Sequence, residues 1–168
     1  RDLIERARAC LYVCGTSTTL VVNDRADVAR AVNAPAIHLG RDDLDVATAR
    51  AVLGREAIIG GTANSYEEAA RVWTTGIDYL GVGPIYGTQS KANPAPDMGL
   101  VTLAQICADS PVPVIAIGSI TPERIPEVIR AGAYGVAVLS AIVSSDDPVA
   151  ATMRCRNALD EALRERAR

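Results

Sequence analysis

Residues 78–100, DYLGVGPIYGTQSKANPAPDMGL, decide the fold. Tyr79 to Ile85 is a short apolar run with two glycines, which reads as a strand buried on both faces rather than one alternating between core and water. A polar loop rich in glycine and proline follows, and then a helix across Val101 to Ala108. In the loop Thr88, Ser90 and Lys91 stand within four positions, so two hydroxyls and one mobile ammonium can converge on a phosphate-bearing ligand. A loop lysine taken alone is more often a solvated charge. The order strand, loop, helix places such a ligand at the carboxyl end of a strand.

Outward from this stretch the same unit repeats. Toward the amino terminus, a helix over Asp2 to Cys14 carries Leu3, Ala7, Cys10 and Cys14 on one face, and short apolar runs follow at Thr19 to Val22, Ala36 to Gly40 and Ala57 to Thr62. Each run is followed by helical periodicity. Ser65 with Glu68 three residues on predicts a capping box, and Gly76 ends that helix. Toward the carboxyl terminus come the strands Val114 to Ile117 and Val136 to Leu139, a helix opened by Thr121 and Pro122, and a final helix opened by Asp147 and Pro148. Six apolar strands alternating with helices imply a parallel sheet covered by helices, in one domain spanning residues 1–168. Either an open doubly wound sheet or a (β/α)₈ barrel fits, and in both the functional residues sit at the carboxyl ends of the strands.

At those ends stand Asn23 and Asp24, then Asp43, Thr62, Thr88 to Lys91, Gly118 to Ile120, and Ser140. Neighbouring parallel strands lie about 4.8 Å apart, so Asp24 and Asp43 can share one cation. Magnesium suits two carboxylates, with water and substrate phosphate completing its shell. The alternative is that both aspartates cap helices. Ser140 stands where the last strand hands over to a helical turn, and with Gly118 and Ser119 one strand earlier it matches the phosphate site that barrels build from their last two loops. Ordinary turn chemistry is the competing account. His38, flanked by apolar residues, reads as structural, and Tyr66 and Trp73 read as helix packing.

Composition narrows the function classes. Acidic residues outnumber basic ones by 20 to 17 and the cations are scattered, which excludes a nucleic-acid partner. No apolar run approaches the roughly 18 residues that span a bilayer, and the opening RDLIERARAC is a charged helix, so the expectation is a cytoplasmic protein with no membrane partner. Cysteines at 10, 14, 107 and 155 with a single histidine give neither zinc spacing nor a disulfide framework, and are expected to be small buried side chains.

Taken together, LVVNDRADVA, AIHLGRDDL, IIGGTANSYEEA, DYLGVGPIYGTQSK, VIAIGSITPE and GVAVLSAI resemble, in order and spacing, successive blocks of bacterial thiamine-phosphate synthase, a family that shares much of its pattern with thiazole tautomerase. The resemblance implies a (β/α)₈ TIM barrel and a transferase of thiamine biosynthesis. That enzyme joins hydroxymethylpyrimidine diphosphate to hydroxyethylthiazole phosphate and releases pyrophosphate. It further implies Mg²⁺ on Asp24 and Asp43, with Asn23, Thr62 and Lys91 on the pyrimidine diphosphate and Thr62 and Lys91 in the catalytic roles. Thr88, Gln89, Ser90, Ser119, Leu139 and Ser140 would hold the thiazole phosphate.

The chain departs from that pattern at several places. Arg41 stands where glutamine is usual, Thr62 where serine is usual, and Ser119 where a second glycine is usual, so a positive φ at Ser119 would strain the backbone beside the phosphate. Asn64 occupies the position of the tautomerase's acid-base histidine. Before Thr19 there is one helix and no strand, so the first two strands of the barrel, with the Gln-Leu-Arg-Glu-Lys motif that helps bind the diphosphate, are expected to be missing from an amino-terminally truncated chain. Six strands instead of eight would leave two apolar edges open to pairing between chains. A non-catalytic thiazole-phosphate-binding module and a tautomerase-like paralogue are the alternative functions.

Overall fold

The apolar runs fold as strands and the amphipathic stretches between them as helices. The structure is a computed structural model and describes residues 2–87 and 95–168. Helix α1 (Asp2–Cys14) leads into β1 (Val21–Asn23), α2 (Ala26–Val32), β2 (Ala36–Leu39), α3 (Val46–Leu53), β3 (Ile58–Ala63) and α4 (Tyr66–Val72). A 3-10 turn (Trp73–Thr75) precedes β4 (Tyr79–Val82), which is followed by α5 (Gly99–Asp109), β5 (Val114–Ile117), α6 (Ile125–Arg130), β6 (Gly135–Ala137), α7 (Ser140–Val143) and α8 (Pro148–Arg166). All strands are parallel and lie in the order of the chain, β1 to β6, curled into a half-barrel flanked by helices.

Helix starts follow local chemistry. Asp45 accepts the amide of Thr48 at 2.8 Å to open α3, and Asp147 accepts that of Ala150 at 2.9 Å to open α8, where Pro148 takes the first helical position. At α4 only half of the expected capping box forms. Ser65 Oγ accepts the Glu68 amide at 3.2 Å, but the Glu68 carboxylate reaches past Ser65 to the amide of Asn64 at 2.7 Å. The helix expected at Thr121 begins at Ile125. The Thr121 carbonyl accepts from the amides of Arg124 and Ile125, which closes residues 121–124 as a turn.

Register decides which side chains face the helices. Val22 pairs with Ile37, which pairs with Ile59, and Leu80 and Val82 pair with Val114 and Ala116. Ile37, Ile59, Leu80, Val82 and Ala116 are completely or almost completely buried beneath the helices. Because side chains alternate along a strand, the residues between them face the concave side. There Val21, Ile58 and Ile117 are 40%, 40% and 44% exposed. Tyr79 to Ile85 is buried on both faces as expected, with only Tyr79 partly exposed, whereas the concave sides of β1, β3 and β5 are open, with no wall opposite them among the described residues.

At the amino-terminal end Arg50 reaches the carbonyls of Arg55, Ala57 and Gly76 and the carboxylate of Asp78, which also accepts the Ile59 amide. That end is tied shut by loops. Cys155 is buried as expected, whereas Cys10 is exposed and Cys14 and Cys107 are half-buried. Tyr66 and Trp73 do pack as helix partners, edge to face at 6.1 Å. No helix among the described residues is long and apolar enough to cross a membrane.

Two concave-face glycines make room for rings. A Cβ on Gly60 would lie 2.1 Å from Cζ of Tyr79, and one on Gly81 2.9 Å from Cε1 of His38. Gly60→Ala is therefore expected to destabilise the chain by about 1–3 kcal/mol through overpacking. In a Tyr79→Leu background the same change should cost clearly less, and urea denaturation of the four variants in a double-mutant cycle measures the difference.

Candidate active site

The carboxyl ends of β1 and β2 bring two acids to one place. Asn23 closes β1 opposite His38, and the chain then turns at Asp24, whose φ of 62° lies in the left-handed region and whose amide donates to the His38 carbonyl at 2.9 Å. After β2 the Gly40 amide donates to Asp43 Oδ2 at 2.6 Å, folding the loop back on itself. The position that a Cβ would take on Gly40 lies 2.8 Å from Asp43 Oδ2 and 3.9 Å from Asp24 Oδ1. Both carboxylates thus face a point that only glycine leaves empty. Neither is a helix cap, because Arg25 and Asp45 hold those positions in α2 and α3. Among the described residues no group of three or more His, Cys, Asp or Glu side chains gathers to hold a metal. A pair of carboxylates without a full protein cage is the donor set that magnesium takes, with water and phosphate completing its octahedron.

Beside them runs a chain of polar contacts across three strands. His38 Nε2 lies 2.8 Å from Thr62 Oγ1 and His38 Nδ1 lies 3.1 Å from the Tyr79 hydroxyl, with the two rings stacked at 5.5 Å. His38, read from its apolar neighbours as structural, therefore points into the concave face and touches a residue named for the site. Burial raises the Tyr79 phenol above its ordinary range, so it stays protonated and able to donate at neutral pH. Arg41, one residue beyond Gly40, pairs with Glu68 at 3.1 Å, the same carboxylate that holds the Asn64 amide. The Asn64 side chain in turn donates to the Gly83 carbonyl.

The ends of β4, β5 and β6 form a second cluster. Gly118, at φ 108°, passes so close to Pro84 that a Cβ would sit 2.6 Å from Pro84 Cα, and Ser119 follows at φ 47°. Ser119 Oγ donates to the Gly87 carbonyl at 3.0 Å. Leu139, 55% exposed, is the residue before α7, and Ser140 opens that helix. Successive amides in this kind of turn make an anion-binding concavity. Thr88, Gln89, Ser90 and Lys91 lie outside the described residues. Of the described residues named from the sequence, Asn23, Asp24, Asp43, Thr62, Ser119, Leu139 and Ser140 all fall at the carboxyl ends of the strands. Sequence reading missed Gly40, Tyr79 and Arg124, whose guanidinium donates to the Ser119 carbonyl at 2.7 Å. A glycine next to a polar strand end, and a tyrosine one strand away from a paired glycine, were the available signals for the first two.

The profile of the thiamine monophosphate synthase family matches residues 1–142. The thiamine-phosphate synthase of Salinibacter ruber is 46% identical over 163 residues, which cover 97% of this chain and 72% of that protein. That of Haloquadratum walsbyi is 49% identical over 146 residues, covering 86% and 66%. Among solved structures, thiamine phosphate pyrophosphorylase from Pyrococcus furiosus superposes with a TM-score of 0.90 at 33% identity, over 97% of this chain and 78% of that one. The chain thus spans about two thirds to three quarters of the length of the relatives it matches.

The φ of Ser119 gives a test of backbone strain. An L-residue in the left-handed region costs about 1 kcal/mol that glycine does not. Ser119→Gly and Ser119→Ala both lose the bond to Gly87, but only the first relieves the strain. Ser119→Gly should therefore exceed Ser119→Ala in stability by about 1 kcal/mol in chemical denaturation.

Proposed function

The chain belongs to the thiamine monophosphate synthase family, and on that premise we propose that its concave face couples hydroxymethylpyrimidine diphosphate to hydroxyethylthiazole phosphate, giving thiamine phosphate and pyrophosphate. The family's enzymes are transferases of thiamine biosynthesis. The observation that carries the proposal is the pair of carboxylates facing the empty point beside Gly40, at the same end of the sheet as Thr62 and the Gly118–Ser119 turn.

In this reading Asp24 and Asp43 hold Mg²⁺, which when bound supplies positive charge against the diphosphate. Thr62 offers its hydroxyl to the same group. If the Tyr79 hydroxyl donates to His38 Nδ1, the imidazole must donate from Nε2 to Thr62 Oγ1, and the Thr62 proton is left to point at an anion. With the other tautomer Thr62 would spend that proton on the imidazole. Asn23 flanks the same end, and Lys91 is the cation that sequence reading gives to the leaving group.

The bond from the pyrimidine CH₂ carbon to the diphosphate oxygen breaks with both electrons going to the oxygen. The electron-rich aminopyrimidine delocalises the cation that remains, and the thiazole nitrogen donates its lone pair to form the new C–N bond. That nitrogen carries no proton, so no general base is needed. The protein's share is to hold the leaving group's charge and to align the nucleophile, which the turns at Ser119 and Ser140 do by gripping the thiazole phosphate.

A tautomerase-like reading is disfavoured because the Asn64 side chain is committed to the Gly83 carbonyl and, as a carboxamide, does not ionise near neutral pH and cannot serve as an acid or base. A binding-module reading is favoured by the exposed Val21, Ile58 and Ile117, which leave the cup walled on one side among the described residues. The same exposed face and the edges of β1 and β6 support self-association of this chain. A cytoplasmic location accords with biosynthesis from small phosphorylated substrates.

Calorimetry with each substrate separately tests the proposal. The chain should bind pyrimidine diphosphate only with Mg²⁺ and thiazole phosphate without it, and Asp24→Asn should abolish the first and spare the second. Gly40→Ala, which sets a methyl group 2.8 Å from Asp43 Oδ2, should raise the Mg²⁺ concentration needed by about tenfold. Thiazole-phosphate binding with no Mg²⁺-dependent diphosphate binding would favour the module. Tyr79→Phe removes the group that sets the His38 tautomer, and should lower diphosphate affinity by about three- to tenfold without changing that for thiazole phosphate.

A further inference from the structure

Arg124, Tyr86 and Glu127 form a cluster of ionisable groups that the proposed coupling does not use. Arg124 Nη1 donates to the Ser119 carbonyl at 2.7 Å, and its guanidinium carbon lies 4.4 Å from the centre of the Tyr86 ring. The Tyr86 hydroxyl donates to Glu127 Oε1. Burial first, and the Glu127 carboxylate second, push that phenol well above its ordinary range, so the donor is kept. Tyr86 belongs to the segment after β4, whereas Ser119 and Arg124 belong to the segment after β5. The same two segments are joined by the Ser119 hydroxyl on the Gly87 carbonyl and by the Tyr86 amide on the Gly118 carbonyl.

We infer that Arg124 is a positioning residue for the phosphate end of the site, clamping the β4 and β5 loops together and aiming the amide that follows Ser119 at the ligand. In the trans peptide joining Ser119 to Ile120 the carbonyl and the N–H point in opposite directions, so the guanidinium that draws the Ser119 oxygen to itself turns the Ile120 N–H away. Ser119 is strained, at φ 47°, and a strained residue persists only when its surroundings over-determine it. Arg124 and the Gly87 carbonyl supply that constraint from two sides. The stacked contact with Tyr86 fixes the guanidinium plane, and Glu127 fixes Tyr86.

This inference rests on the proposed coupling function, and the test separates the two. The wild-type chain, Arg124→Met and Arg124→Lys are titrated calorimetrically with hydroxyethylthiazole phosphate, and separately with hydroxymethylpyrimidine diphosphate and Mg²⁺. Arg124→Met should weaken thiazole-phosphate binding about tenfold and leave diphosphate affinity within about twofold, and Arg124→Lys, which keeps a cationic donor, should recover most of the loss. Amide exchange at Tyr86 should quicken in Arg124→Met while the amides of β1 to β3 are unchanged. Wild-type affinity for thiazole phosphate in Arg124→Met, or equal weakening of both ligands, overturns the clamp. A wild-type chain that takes up no thiazole phosphate overturns the functional reading itself, and the clamp's role with it.

Discussion

Alternation of side chains along six parallel strands is the constraint from which the rest follows. The residues that face the helices must be apolar and large enough to fill the layer between sheet and helix, and Ile37, Ile59, Leu80, Val82 and Ala116 satisfy that demand. Their neighbours are thereby released from core duty. On the concave side the same strands carry Asn23, His38, Gly60, Thr62, Tyr79 and Gly81, in rows set by the register. Packing on one face and polar chemistry on the other are two readings of one period-two pattern.

That separation explains what could be read from the chain alone. Strand and helix order was legible because apolar runs and 3.6-residue periodicity are local, and the strand ends were legible because parallel sheets present them all at one rim. His38 shows where local reading stops. Flanked by Ile37 and Leu39, it looks like part of the core, yet those neighbours point to the helices while the imidazole points the other way, toward Thr62 and Tyr79. The capping box at Ser65 was half right for a similar reason. Glu68 takes the Asn64 amide in place of that of Ser65 and a tertiary partner in Arg41, and no sequence rule weighs that competition. Arg124 was invisible because its partner is a backbone carbonyl, which every residue has.

Backbone conformation concentrates at the same rim. Of the described non-glycine residues only Asp24, Asn33 and Ser119 have positive φ, and Asn33 is an ordinary left-handed helix end. The other two stand beside the acid pair and in the phosphate turn. Strain of that kind is retained where neighbours hold it in place, and here the neighbours are a strand carbonyl for Asp24 and the Arg124 and Gly87 contacts for Ser119. The strain reading of Ser119 was available from the sequence as a conditional, and the observed φ supplies the condition.

Among the described residues, every strand in the sheet hydrogen-bonds only to the strands next to it in the chain. Pairing therefore never has to bridge more than one helical crossover, so the ring closed at each step is that of a single βα unit. A chain arranged this way can add each strand to the one just before it, while the helix-side core and the concave rows each close only once several units are in place.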